Sequence, residues 1–135
     1  MELPRVTEHD TRPKQVCMNF DGASGCIAAA RDAAAAFLDD QAPAAHPTFH
    51  DDVLLVVSEL VTNAVRHAPG PLIFGLALLR DRIEITVRDT DHAIPAARTP
   101  DLYGGRGWPI VQRLACDVQV IRHDDGKTVR AELAW

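Results

Sequence analysis

Across residues 51–68 the apolar side chains Val53, Val56, Val57, Leu60 and Ala64 recur at the spacing of one helical face. Asp51 and Asp52 fall in the first turn of this helix, where carboxylates favour the dipole. Pro69-Gly70-Pro71 then stops it. Two strands follow at once, at 72–79 and 82–89, joined by Arg80-Asp81. In the second, Ile83, Ile85 and Val87 alternate with Glu84, Thr86 and Arg88, the pattern of a half-buried antiparallel strand. A helix with one apolar stripe beside strands with one apolar face calls for a two-layer arrangement in which each covers the other.

The remaining segments extend this plan. Residues 1–14 are polar, carry Pro4 and Pro13, and read as a flexible arm. A short strand is predicted at 15–20, with Val16, Met18 and Phe20 on one face. After the turn cluster Asp21-Gly22-Ala23-Ser24-Gly25, an Ala-rich helix runs over 26–40, with Ile27, Ala30, Ala34, Phe37 and Leu38 on one side. Residues 90–103 contain Pro95 and Pro100 and no apolar period, which marks a functional loop or lid. A short helix over 108–115 tolerates Pro109 in its first turn. Strands at 117–122 and 127–133 flank a turn at 123–126. The expected fold is an α/β two-layer sandwich: a mixed, largely antiparallel sheet covered on one face by helices. With 135 residues, the chain holds one domain, at 15–135.

Composition narrows the function. The net charge of −5 argues against direct nucleic-acid binding, which needs excess Lys and Arg to displace counterions. Cys17, Cys26 and Cys116 are odd in number and widely spaced, so no disulfide framework or zinc knuckle is indicated. A reducing cytoplasm fits that usage. The longest apolar run, 72–79, is far short of a membrane span, and the N-terminal residues lack an apolar signal region. Twelve arginines against two lysines point to a high-GC bacterial coding sequence.

Polar residues in four places could form a site. Glu59 and Asn63, four apart on the central helix, share one edge, and Arg66 and His67 continue it. By themselves these are equally a solvated helix face. Asp89 closes a strand, where a carboxylate can accept a hydrogen bond from an exocyclic amine or merely form an Asx turn. Gly105-Arg106-Gly107 precedes a helix and leaves backbone N–H groups open to a phosphate, or only lets the chain turn. Gly126-Lys127-Thr128 alone is a hairpin turn.

Taken in order, these segments resemble a known family. The stretch 59–68, ELVTNAVRHA, is similar to the N-box of the ATPase superfamily that includes gyrase and sensor histidine kinases (GHKL, or Bergerat fold). Val87-Arg88-Asp89-Thr90-Asp91 resembles its G1 box, Gly104-Gly105-Arg106-Gly107-Trp108 its G2 box, and Gly126-Lys127-Thr128-Val129 its terminal G-T box. Within the superfamily, residues 15–133 resemble the small anti-sigma factor serine/threonine kinases (RsbW/SpoIIAB-like). The resemblance implies a Bergerat fold with an ATP lid, and ATP and Mg²⁺ as cofactors. It implies Glu59 as the catalytic base and Asn63 as the Mg²⁺ ligand. Asp89 would read the adenine amine with Thr128 beside it, and Gly105, Arg106 and Gly107 would hold the phosphates. Arg66 and His67 either touch the phosphates or line the pocket. The implied partners are an anti-sigma factor antagonist of STAS type and a sigma factor; a homodimer is left open.

The G1 box of that superfamily reads D-x-G-x-G, and here Asp91 and Ala93 stand at its glycine positions. Two functions therefore follow from the sequence. One is a bacterial serine kinase that phosphorylates the antagonist and sequesters a sigma factor. The other is a partner-switching module of the same fold without catalysis. A lone Asp89 carboxylate would favour adenine over guanine, whose carbonyl oxygen would face an acceptor.

Overall fold

A computed structural model describes residues 14–41, 47–68, 70–90 and 107–134. Its elements are β1 (Lys14–Phe20), α1 (Gly25–Gln41), α2 (Phe49–His67), β2 (Leu72–Leu78), β3 (Arg82–Asp89), α3 (Gly107–Leu114), β4 (Asp117–His123) and β5 (Gly126–Ala134). The order and type agree with the sequence reading, with ends shifted by two residues or fewer. The N-terminal arm and most of the expected lid, 91–103, lie outside the described residues, although Lys14 opens β1.

The five strands form one sheet in the order β1-β2-β3-β5-β4, and all four pairings are antiparallel. The mixed sheet of the sequence reading is thus antiparallel throughout the described strands. Connectivity explains this. Two helices separate β1 from β2, so the chain reverses three times between the two strands and they run antiparallel. The crossover from β3 through α3 to β4 would give a parallel pair, but β5 lies between those two strands.

The helices cover one face of the sheet. The stripe Val53, Val56, Val57, Leu60 and Ala64 is buried, together with Val61. It meets Phe74 and Leu76 of β2, Ile83, Ile85 and Val87 of β3, and Val129, Ala131 and Leu133 of β5 in one core. Ala30, Ala34 and Leu38 bring α1 into that core and Val111 brings α3. Trp108 is half-buried against it. Phe49 is also fully buried and starts α2 earlier than the apolar period does. The Thr48 carbonyl accepts from the Asp52 N–H at 2.8 Å, and the Thr48 hydroxyl donates to the Asp52 carboxylate at 3.2 Å.

The opposite face of the sheet is largely polar, with Ile73 and Ile121 exposed on it. Glu84 and Glu132 stand directly across β3 and β5, a like-charge pair. Arg82 pairs with Glu132 at 2.7 Å, and Arg130 approaches Glu84 at 3.8 Å, which offsets the repulsion.

Strand directions bring the functional segments to one end. β1 ends beside the start of β2, with Phe20 opposite Leu72. β3 ends at Asp89 opposite Lys127, and β4 ends at His123 opposite Gly126. The short link from α2 to β2 puts the last turn of α2 at this same end. At the same end, Gly22 has φ +88°, and a Cβ there would lie 2.0 Å from the Gly70 carbonyl oxygen, so only glycine fits.

Candidate nucleotide site

Glu59 and Asn63 lie one turn apart on α2, and both are half-buried. Their edge runs beside the Leu60 and Ala64 stripe, so the packing that buries the stripe also fixes the direction of the two polar side chains. Burial pushes the Glu59 carboxyl above the usual carboxylate range, and the positive charge of Arg66 pulls it part of the way back. A carboxylate so shifted is better suited to accept a proton near neutral pH. Arg66 and His67 are exposed in the last turn of α2, where cations favour the helix dipole.

Asp89 is 5% exposed at the end of β3. Its carboxylate accepts two hydrogen bonds from the Lys127 ammonium, at 2.9 and 3.1 Å, and Lys127 is 4% exposed. These are the two charged residues buried among those described. The backbone dictates the pairing. Asp89 and Lys127 face each other across β3 and β5, on the helix-covered side of the sheet. Gly126 precedes Lys127 with φ +155°, and a Cβ on it would lie 1.9 Å from the Asp89 carbonyl oxygen. Glycine at 126 therefore lets β5 close onto the end of β3.

Strand alternation puts Thr128 on the other face of the sheet from Asp89. It stands opposite Arg88 and Ile121 on the polar side of the sheet, away from the face that Asp89 and Lys127 share. There its hydroxyl is 2.7 Å from Nε2 of His123. The side chain beside Asp89 is that of Lys127, which the sequence reading treated as part of a turn. The signal for it was present: Val129, Ala131 and Leu133 set the buried phase of β5, and Lys127 is in step with them.

Gly107 opens α3, as expected of the last G2 glycine, while Gly105 and Arg106 lie outside the described residues. The sheet end thus brings together the end of β3, the beginning of β5 and the last turn of α2. Among the described residues, no group of three or more His, Cys, Asp or Glu could hold a metal ion. A Mg²⁺ ion that keeps several waters and takes oxygens from a polyphosphate needs only one or two protein ligands. The side-chain oxygen of Asn63, a hard donor, fits that need.

Among the described residues no helix is long and apolar enough to cross a membrane. No curated protein matches the chain. Among solved structures, the chain is similar to the histidine kinase domain of the blue-light activated histidine kinase from Erythrobacter litoralis EL346. The two are 23% identical with a TM-score of 0.50, over 80% of this chain and 60% of that one. At that identity the likeness shows the fold, and this chain spans less than two thirds of that structure. The family model described as the histidine kinase-like ATPase domain matches residues 24–133, a span that takes in every described element except β1 and the last residue of β5. Domains of this family bind ATP, generally with Mg²⁺. With that match over most of its length, the chain belongs to the histidine kinase-like ATPase domain family.

Proposed function

We propose that this protein is a bacterial ATP-dependent serine kinase that phosphorylates an STAS-type anti-sigma factor antagonist and sequesters a sigma factor. One observation carries the reading: Glu59, half-buried with its carboxyl raised, lies one turn from Asn63 on a rigid helix edge. Bound ATP would supply the phosphoryl group, and Mg²⁺ would neutralise its charge. Asn63 would hold the metal, Asp89 would orient the base, and ADP would be the leaving group. Glu59 takes the proton of the attacking serine hydroxyl, a role worth about 10²–10⁴-fold in rate. The core packing of Leu60 and Ala64 holds the helix edge that carries Glu59 and Asn63 without loop ordering.

The test is radiolabelled phosphate transfer to candidate antagonists, run beside ATP affinity. Glu59→Ala should bind ATP nearly as the wild type does while transfer falls by about 10²–10⁴-fold. Asn63→Ala should lose Mg²⁺-dependent affinity as well as transfer. A wild type that binds partners but transfers nothing, with both variants matching it, makes the protein a partner-switching module. That second reading draws on Lys127, which engages the Asp89 carboxylate, and on Asp91 and Ala93 at the G1 glycine positions.

A further inference from the structure

We propose that Lys127 is a specificity-determining residue of the nucleotide site, so that the Asp89–Lys127 pair, an acceptor beside a donor, reads the base edge in place of Asp89 alone. The proposal rests on the nucleotide-binding reading above and adds a residue and a base preference to it.

The geometry is that of a shared recognition element. Both Asp89 oxygens accept from the Lys127 ammonium, and the two residues lie opposite each other on the helix-covered face. Asp89 is the last residue of β3 and Lys127 the second of β5, so the pair lies at the sheet end rather than inside the sheet. Gly126 keeps it there by close contact with the Asp89 carbonyl.

The consequence follows from base chemistry. Adenine offers an amine donor at position 6, whereas guanine offers a carbonyl oxygen there. A lone carboxylate attracts the amine and repels the carbonyl. An ammonium beside it gives the carbonyl a charge-assisted donor and neutralises part of the repulsion. An ammonium is a rotatable donor head, so it can serve the carboxylate and an incoming acceptor from one position. Guanine is therefore tolerated, and the strong adenine preference expected of Asp89 alone is lost.

The experiment measures ATP and GTP affinities of the full chain by calorimetry, for wild type, Lys127→Thr and Lys127→Gln, with thermal melts on each protein. The wild type should bind the two nucleotides within about tenfold of each other. Lys127→Thr should raise the ATP-to-GTP affinity ratio by about tenfold or more, because guanine then meets a carboxylate without its cation, and Lys127→Gln, whose neutral amide is a weaker donor than the ammonium, should raise it in the same direction by less. A purely structural pair would weaken both nucleotides together and leave the ratio unchanged, which overturns the proposal. Lys127→Gln can still donate to Asp89 and keeps the test available if Lys127→Thr does not fold. If neither variant folds, the wild-type ratio decides, and an ATP preference above about tenfold overturns the proposal. If the wild type binds ATP and not GTP, the site reading stands and the proposal fails. If it binds neither, both fail.

Discussion

Glu59 is held in a surrounding that its charged form does not favour. Its carboxyl is raised by burial, with Arg66 offsetting part of the effect. The folded state thus prefers the protonated form more than the unfolded chain does. The stabilising contribution is complete below the unfolded-state carboxylate range and is lost as pH rises through the folded value. At pH 7 the charge is therefore a cost, and Glu59→Gln should raise the melting temperature modestly, with the gain vanishing at acid pH. Melting curves at pH 7 and pH 4 check this, and a variant that melts lower than wild type at pH 7 would contradict it. Lys127 is buried against a partner of opposite charge. Lys127→Met leaves the Asp89 carboxylate buried without its cation, and urea unfolding should show a loss of about 3–5 kcal/mol. A loss below about 1 kcal/mol would mean that the pair is not buried as described. Sequence analysis found Asp89 but not its partner, because a basic residue just after a glycine looks like part of a turn. Only the alternation of β5, read back from Leu133 through Val129, separates the face of Lys127 from that of Thr128. A slip of one residue moves a side chain to the other face of a sheet.

At the scale of elements, α2 and the two central strands do most of the positioning. Leu60 is 3% exposed in the core and is flanked by the site residue Glu59. Leu60→Ala should cost about 2–5 kcal/mol, measured by denaturant unfolding. Loss within about 0.5 kcal/mol would remove the claim that core packing holds the polar edge. Gly126→Ala is a sharper probe of the link between β3 and β5, since the added methyl meets the Asp89 backbone. It should lower stability and weaken nucleotide binding together. These elements were legible because their apolar periods are long and unbroken: the α2 stripe spans three turns, and Ile83, Ile85 and Val87 give a clean period of two. The start of α2 was less so. Phe49 lies before two aspartates and after Pro47, and its burial depends on the tertiary packing of α2. The uniform antiparallel pairing was likewise beyond local pattern, because it depends on β5 inserting between β3 and β4.

For the whole molecule, the order of weak local signals was more informative than any one of them. The Glu59–Asn63 spacing, the strand-end Asp89 and the glycines before α3 and β5 each have an ordinary structural use. The fold draws together the last turn of α2, the end of β3 and the start of β5 at one end of the sheet, as a nucleotide site requires. Titration of ATP into the full chain, with and without Mg²⁺, tests this most directly. One saturable site should appear, tighter with Mg²⁺ than without it, and the Mg²⁺ effect should vanish in Asn63→Ala while the fold persists. Absence of binding, or binding indifferent to Mg²⁺ in the wild type, would contradict the assignment of Asn63 and with it the kinase.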